Sequence, residues 1–325
     1  MKMKRRAFLA GTFAAGASLA LMGCSPEGGV VIPQSLGKAV TPEAERPTTE
    51  PTPVPAQSAY LAVARGNSPE AITMRAIAAI GGIERFVKQG YDVIIKPNIC
   101  NAHNGPEYAS TTNPEVVATL VKLCLGAGAR RVRVMDYPFS GSGEAAYVKS
   151  GIEAAVKAAG GEMEVMAPAK FVEAEIPAGV DLKKWRFYRP ILEADLVINV
   201  PIAKHHSLAR LTLAGKNLMG TIQDRGSLHR NLGQRIADIT SRVRPQLTVV
   251  DAVRILMANG PTGGNLNDVK QANTVIASHD IVAADAYATS LFGLKPQDIA
   301  YIAASAQMGL GTMELGSVKI EELSV

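Results

Sequence analysis

The sequence predicts an α/β fold with a mostly parallel sheet and helices on both faces, built as one domain or as two sub-domains. The main observation is that short apolar runs alternate with segments of helical periodicity from Tyr60 onward. An apolar content of 47% is ample for a core, and only 5% of the residues are aromatic. Aliphatic side chains must therefore do most of the packing.

In the first half of the predicted domain, three apolar runs each precede a helical segment. Pro69 suits a first helical turn, where its missing N–H would lack a partner anyway. Asn113 caps a later helix, and Gly126 and Gly128 end it. The predicted elements are a strand at 60–65, a helix at 69–89, a strand at 92–97, a helix from 113 to 125, a strand at 131–136 and a helix at 143–159.

The second half continues the alternation. Residues 195–201 have the sequence D-L-V-I-N-V-P, which is typical of a strand buried on both faces. The further predicted elements are a helix at 231–243, strands at 246–253 and 273–277, and helices at 281–292 and 297–308.

Polar residues follow several of these runs. Ligands of open parallel sheets bind beyond the carboxyl ends of the strands, so these residues are the first site candidates. Each alone is also typical of a turn or a helix cap. They are Lys96-Pro97-Asn98, Asp136-Tyr137, Asn199-Val200-Pro201 with Lys204, and Asp251.

The first 24 residues predict export. The pair Arg5-Arg6 precedes an apolar run at 11–23, which is shorter than the ~20 residues of a membrane-spanning helix. The basic pair with Ala-Phe-Leu resembles a twin-arginine signal, which exports folded proteins through dedicated machinery. The sequence L-M-G-C at 21–24 resembles a bacterial lipobox, so Cys24 is the predicted lipidation site. An uncleaved apolar anchor is the alternative.

Residues 25–58 are rich in proline and contain few large apolar residues, which predicts an extended tether. With the signal at 1–24, the α/β domain then occupies 59–325. The expected location is the cell envelope, with the domain lipid-anchored on the periplasmic or extracellular face. A spacer of this kind would hold the domain away from the membrane.

The net charge argues against a nucleic-acid partner. The chain has 34 basic and 29 acidic residues, but four of the basic residues lie in the predicted signal, which leaves 30 to 29. Cys100 and Cys124 either pair or stay free and buried. Two cysteines cannot supply the four ligands of an iron–sulfur cluster, so no such cluster motif is present.

Residues 199–229 form the most chemically dense segment, with three of the five histidines. It contains Pro201, Lys204, His206, Thr212, Lys216-Asn217, Gly220 and His229. Further motifs are Lys96-Pro97-Asn98, Val250-Asp251, Gly260-Pro261 with Gly263-Gly264, and D-I-V-A-A-D at 280–285. This pattern, a Pro-x-x-Lys-x-His element followed by Thr, Lys-Asn-x-x-Gly and a later His, resembles the bacterial and archaeal family called Domain of Unknown Function 362.

The resemblance covers roughly residues 60–310 and implies no settled activity. Some members of that family carry added ferredoxin-like cysteine motifs, which this chain lacks, so electron transfer by analogy is disfavoured. A more distant similarity in fold and motif style links the family to nickel-dependent lactate racemases. No catalytic residue of those enzymes is carried over to this sequence.

The residue types predict an anionic ligand. Lys96, Lys204 and Lys216 offer point charges for carboxylate or phosphate, and Lys204 is also a catalytic candidate. Asn98 and Asn217 are expected to orient ligand oxygens. In the loop 260–264, Gly263 and Gly264 would let backbone N–H groups approach an anion, although the spacing matches no nucleotide motif and is also typical of a plain turn.

His206 and His229 are the acid/base candidates, because imidazole titrates near neutral pH. With Asp251 they also form a candidate set for a divalent metal. Asp285 is a further candidate ligand or ring-orienting group. His205 is expected to be a neighbour, and His103 would matter only if its long polar loop, residues 101–113, folds inward.

Two main functions remain open. The first is an enzyme acting on a small anionic substrate, with lysines for positioning and histidine for acid/base or metal chemistry. The second is a lipid-anchored protein that binds a solute or metal without catalysis. A structural or assembly role is a weaker third, because the polar motif positions exceed what packing needs.

Overall fold

The computed structural model describes residues 60–325. The predicted signal at 1–24 with Cys24, and the predicted tether at 25–58, lie outside the described residues and stay predictions. Within residues 60–325, no helix combines the length and the apolar character needed to cross a bilayer.

The described chain alternates strands and helices. The strands are β1 (Leu61–Arg65), β2 (Asp92–Pro97), β3 (Arg131–Val134), β4 (Glu162–Met163), β5 (Phe171–Glu175), β6 (Lys184–Tyr188), β7 (Leu196–Val200), β8 (Ile202–His206), β9 (Arg210–Thr212), β10 (Leu247–Leu256), β11 (Val269–Ser278) and β12 (Ile320–Ser324). The helices are α1 (Pro69–Ala79), α2 (Pro114–Gly126), α3 (Gly143–Lys149), α4 (Ile152–Ala158), α5 (Arg189–Glu193), α6 (Ala214–Asn217), α7 (Leu232–Val243), α8 (Ile281–Thr289) and α9 (Ala300–Gln307).

The main sheet has the strand order β12-β1-β11-β10-β7-β2-β3-β4, and β8 pairs with both β10 and β9. The pairs from β10 through β7, β2 and β3 to β4 are parallel, as are β8 with β10 and β1 with β12. Antiparallel pairs join β11 to β1 and β10, and β8 to β9. The predicted mostly parallel sheet is confirmed. Strands β5 and β6 pair separately.

Both faces of the sheet are covered. Leu61 and Val63 of β1 belong to one apolar core, which also contains side chains of α7, α8 and α9. Ala62 and Ala64 belong to a second core with side chains of α1 to α4. Because successive side chains of a strand point to opposite faces, the sheet separates these two cores, as the continuous apolar runs predict.

Two predicted helices are shorter than their sequence pattern suggests. The helix predicted at 69–89 ends at Ala79, because Gly81 and Gly82 follow with φ of 103° and 81°. The helix predicted at 143–159 is divided into α3 and α4 at Gly151, where φ is 73°. The predicted cap at Asn113 is confirmed, since its side chain accepts a hydrogen bond of 2.8 Å from Glu115 N.

Several elements lack a sequence signal strong enough to predict them. Strands β8 and β9 lie inside the segment 199–229, where lysine and histidine interrupt the apolar pattern. Strand β8 follows β7 after Pro201 and pairs with β10 instead of extending the β7 ladder. This placement brings the Lys-x-His element of the segment to the carboxyl end of the sheet.

The two cysteines of the domain are buried and free. Cys124 lies in α2, and burial raises the pKa of its thiol to about 12. Cys100 lies beyond the end of β2, where its Sγ is 3.5 Å from Pro261 O. Of the two alternatives left open by the sequence, the structure shows unpaired cysteines.

Candidate functional site

The candidate site lies at the carboxyl ends of β2, β3 and β7, beside β8 and α6. Strands β3, β2 and β7 are parallel neighbours, so the residues that follow them meet at one edge. The expected convergence is confirmed for Lys96, Asn98, Asp136, Asn199 and Lys204, which are linked directly or through one shared side chain.

Lys96 forms a buried ion pair with Asp136. Its Nζ is 2.7 Å from Asp136 Oδ1, and it also donates to Pro97 O at 2.9 Å and Asn217 Oδ1 at 3.0 Å. Asp136 Oδ2 accepts the N–H of Ile99 at 2.6 Å. Burial lowers the pKa of Lys96, and the carboxylate opposes that shift. The hydrogen bonds of the Lys96 ammonium group are therefore made to protein atoms.

Asn217, in α6, ties the strand ends together. Its Oδ1 accepts hydrogen bonds from Lys96 Nζ at 3.0 Å and Asn98 Nδ2 at 2.9 Å, and its Nδ2 donates to Asn199 Oδ1 at 2.8 Å. Asn199 in turn donates to Ala214 O at 2.9 Å. The two predicted ligand-orienting amides, Asn98 and Asn217, thus orient lysines and each other in this structure.

Gly220 gives the ion pair its space. A Cβ built at this position would overlap Asp136 Oδ1 and lie 2.6 Å from Lys96 Nζ. The Lys-Asn-x-x-Gly motif therefore has a packing role: Asn217 holds Lys96, and the glycine three residues later lets the backbone approach the ion pair.

Lys204, in β8, is 1% exposed, as is Lys96. Its Nζ donates to Ser110 O at 2.7 Å and Asn98 Oδ1 at 3.0 Å. The loop 101–113 thus reaches the site through the carbonyl of Ser110, while its His103 is exposed. This loop covers the lysine without contributing its histidine.

Lys216, in α6, has a different environment. Among the described residues, its Nζ has one hydrogen-bond partner, the thioether Sδ of Met219 at 3.2 Å, and it forms no ion pair. Burial, followed by the charges of Lys204 and Arg225, lowers the pKa of Lys216 to about 8. The side chain is 9% exposed.

Arg225 also belongs to the candidate site, although none of the sequence patterns predicts a role for it. Its guanidinium donates to Tyr137 O at 2.9 Å and Pro138 O at 2.7 Å, and it lies 4.8 Å from the centre of the Tyr137 ring. Burial lowers its pKa, and Asp136 opposes that shift. Its position in the basic segment 199–229, four residues before His229, is the signal that could have identified it.

Lys96, Lys204, Lys216 and Arg225 together form what we call the cationic cluster. The charges of Lys204 and Arg225 help to lower the pKa of both Lys96 and Lys216, which places the four groups in one electrostatic environment. Within residues 60–325, Asp136 is the only carboxylate that forms an ion pair with a member of the cluster. Since burial weakens solvent screening, the uncompensated positive charge favours an anion.

His206 lies at the end of β8 and is largely buried. Its Nδ1 accepts the N–H groups of Leu208 at 3.1 Å and Ala209 at 3.2 Å. The proton of the neutral ring therefore lies on Nε2. Burial, together with Lys216 and Lys204, lowers its pKa to about 3. At neutral pH the ring is a hydrogen-bond donor and a weak base.

The other two histidines of the segment lie at the periphery. His229 is exposed in a short 3-10 helix, Arg225–Asn231, and its charge contributes to the lowered pKa of His206. His205 accepts the N–H of Gly260 through its Nδ1 at 3.1 Å, which holds the glycine-rich loop against β8. The prediction that His205 is a neighbour agrees with this contact.

The structure does not assemble the predicted metal set of His206, His229 and Asp251. Within residues 60–325, no group of three or more His, Cys, Asp or Glu side chains is arranged to hold a metal ion. Asp251 is buried, and its two oxygens accept the N–H groups of Asn113 at 2.7 Å and Val253 at 2.9 Å. These bonds give the carboxylate a structural role, although burial raises its pKa to about 6.

Asp285, the other candidate carboxylate, has a similar role. Its oxygens accept the N–H groups of Ala214 at 2.6 Å and Gly215 at 2.9 Å, at the start of α6. Burial raises its pKa to about 7. Asp285 therefore positions the helix that carries Lys216 and Asn217, and lies behind the site rather than in it.

The glycine-rich loop, residues 260–264, lies beside the loop 101–113. Asn104 Nδ2 donates to Thr262 O at 2.8 Å. Gly263 and Gly264 have φ of 63° and 127°, which require glycine, and Gly263 N donates to Asn259 O at 3.2 Å. The N–H of Gly263 thus closes a turn and is not free for an anion.

A cavity of about 260 Å³ opens beside Asp136 and Arg225. Its wall has both polar and apolar parts, and Phe139 in it is exposed. It is lined by side chains that include Tyr137, Pro138, Phe139, Val165 and Met166. The cavity shares two charged residues with the site and offers room for the uncharged part of a ligand.

Comparisons with known proteins agree with these motifs. The family model described as "Domain of unknown function (DUF362)" matches residues 93–290, a range that includes the cationic cluster and both candidate acid/base histidines. A "Thylakoid-associated protein" of Synechocystis sp. is 27% identical over 246 residues, which cover 71% of this chain and 72% of that protein.

A solved structure of lactate racemase apoprotein from Thermoanaerobacterium thermosaccharolyticum is also similar. Its TM-score is 0.45 at 11% identity, and the match covers 70% of this chain. It covers 56% of the racemase chain, so this protein spans little more than half the length of that structure.

Proposed function

This chain belongs to the family described as domain of unknown function DUF362, and on that premise we propose that it is an enzyme acting on a small anionic substrate bound at the cationic cluster. The observation that carries the proposal is a charge imbalance within residues 60–325: three buried lysines and the half-buried Arg225 face one paired carboxylate. A carboxylate or phosphate group of the substrate would supply the missing negative charge.

The contacts of the site residues suggest a different role for each residue. Lys96 and Lys204 are held by oxygen acceptors and fix a positive field at the strand ends. Arg225 also lines the adjacent cavity, which would take the remainder of a substrate whose anionic group lies at the cationic cluster. His206 has a proton available on Nε2 and would donate a hydrogen bond to the substrate.

Binding without catalysis is the second candidate. The specific observation in its favour is His206, whose lowered pKa and occupied Nδ1 make it a poor proton acceptor at neutral pH. A solute-binding protein needs only the charge imbalance and the hydrogen-bond donors. Turnover of a bound substrate would separate the two candidates.

The thermal stability of the full chain in the presence of phosphate, acetate or citrate tests the anion site. We expect these anions to raise the Tm of the wild-type protein above the Tm in chloride at equal ionic strength. Lys204→Met should remove most of this increase. Lys122→Met, at an exposed lysine of α2 paired with Glu70, should retain it. Equal Tm values in all anions would contradict the proposal.

We further propose that the protein is exported by twin-arginine machinery and tethered to the envelope through a lipid on Cys24. The supporting observations are the Arg5-Arg6 pair, the short apolar run and the L-M-G-C sequence. Cys24→Ala should release the protein from the membrane fraction, and Arg5→Lys with Arg6→Lys should leave it in the cytoplasm. Unchanged fractionation of both variants would contradict this proposal.

A further inference from the structure

The three lysines of the cationic cluster differ in their hydrogen-bond partners. Lys96 and Lys204 donate to carbonyl and amide oxygens, and Lys96 also pairs with a carboxylate. Lys216 has only a thioether partner among the described residues. A thioether is a weak acceptor, so it offers little stabilisation to an ammonium group.

The three lysines also differ in solvent exposure. Lys96 and Lys204 are each 1% exposed, whereas Lys216 keeps 9% of its surface exposed. Lys216 is therefore the least enclosed of the three lysines, although its Nζ contact with Met219 is buried. Unlike Lys96, it forms no ion pair among the described residues, so no buried carboxylate stabilises its protonated form.

We propose that Lys216 is a nucleophilic amine that forms a Schiff base with a small aldehyde or ketone carrying a carboxylate or phosphate group. This inference rests on the proposed function, since the anionic group of the carbonyl compound would be held by the rest of the cationic cluster. It adds the substrate class and the covalent step.

The electrostatics support this role. Burial and the neighbouring cations lower the pKa of Lys216 to about 8, so about a tenth of the amine is unprotonated at pH 7, far more than for an ordinary lysine. Desolvation and an adjacent cation are the two means by which proteins activate lysine for carbonyl chemistry. Here Lys204 and Arg225 provide the cationic neighbours.

The step balances without a cofactor. The amine lone pair of Lys216 attacks the carbonyl carbon, a C–N bond forms, and the C–O π electrons move to the oxygen. The amine loses a proton and the oxygen gains one through solvent, which gives a carbinolamine. A second proton from solvent converts the hydroxyl into a leaving water molecule, and the C–N bond becomes a protonated imine. One carbonyl, one amine and one proton thus give one iminium ion and one water.

Reductive trapping tests the proposal. The full chain is incubated with glyoxylate or pyridoxal 5′-phosphate, each an aldehyde with an anionic group, and then reduced with cyanoborohydride. We expect peptide mass spectrometry to find the modification mainly on Lys216, at near one equivalent. Labelling should increase with pH to half of its maximum near 8, as the amine loses its proton.

Two variants serve as controls. Lys216→Arg keeps the positive charge but removes the amine nucleophile, so it should abolish the preferred label. Lys122→Arg, at the exposed lysine of α2, should label like the wild type. Excess phosphate should compete with labelling in the wild-type protein.

The outcomes distinguish the two proposals. A label spread over exposed lysines, or an undiminished label in Lys216→Arg, would overturn the Schiff-base proposal even if phosphate still raises the Tm. If phosphate neither raises the Tm nor competes with labelling, the anion site itself is contradicted. Preferred labelling of Lys216 with phosphate competition supports both.

Discussion

Lys96 of β2 and Asp136, two residues beyond β3, form an ion pair of 2.7 Å in which neither side chain is more than 4% exposed. The pair joins the ends of two adjacent parallel strands. It also borders Gly220, so the backbone after α6 is placed against it. This contact therefore helps to fix the geometry of the cationic cluster.

Removing the carboxylate should be strongly destabilising. Asp136→Asn leaves Lys96 buried without its counter-ion, and we expect a loss of about 3 kcal/mol in the free energy of unfolding, measured with urea. Glu162→Gln is the control, because Glu162 pairs with Arg131 on the exposed edge of the sheet. It should cost less than about 1 kcal/mol. Similar losses in the two variants would contradict a buried, structurally important pair.

The glycine beside the pair should not tolerate a side chain. In Gly220→Ala the new Cβ would overlap Asp136 Oδ1, and we expect a loss of about 1–3 kcal/mol together with a smaller Tm increase from phosphate. Gly226→Ala is the matched control, since no atom lies within 4 Å of a Cβ built there. Equal losses in the free energy of unfolding for Gly220→Ala and Gly226→Ala would contradict the close packing at Gly220.

Asp285 should make the stability depend on pH. Its pKa of about 7 in the folded protein exceeds the ordinary value of 3.8, so the folded state holds a proton that the unfolded chain releases. That contribution is complete below pH 3.8 and is lost as the pH rises through about 7. The stability difference between the wild type and Asp285→Asn should therefore decrease from about pH 4 to about pH 8.

Urea unfolding of both proteins across this pH range is the measurement. Comparing the two removes the contributions of other titrating groups, such as Asp251, whose pKa is also raised by burial. Asparagine loses one of the two acceptors for the N–H groups of α6, so only the pH trend is informative. A difference that stays constant or grows with pH would contradict the protonated carboxyl group.

His206 should be a neutral ring with its proton on Nε2 at pH 7. Its Nδ1 accepts two backbone N–H groups, and its pKa is about 3. Proton–¹⁵N correlation spectra of the ring should show this tautomer, with no titration down to about pH 4. Free histidine in the same sample titrates near pH 6.5 and is the internal control. A ring that titrates with free histidine would contradict the buried acceptor role.

Most residues of the candidate site could be predicted from the sequence, but the contacts that these residues make could not. The rule for strand ends correctly brought together Lys96, Asn98 and Lys204, because parallel neighbours end at one edge. It missed Arg225, which reaches the site from a 3-10 helix that no strand pattern marks. The residue types also suggested a metal set of Asp251 with His206 and His229, whereas backbone N–H groups occupy the oxygens of Asp251.

The sequence by itself determined the alternation of strands and helices, the cap at Asn113 and the polar residues at the strand ends, because periodicity and capping are local properties. The tertiary structure alone decided which lysine ammonium group has oxygen acceptors and which has only a weak acceptor among the described residues. Lys96 contacts Asn217 across 121 positions of the chain, whereas Lys216, one residue before that asparagine, has Met219 as its one hydrogen-bond partner within residues 60–325. Such partners depend on how distant segments pack, so identical residue types in one site acquire different chemistry.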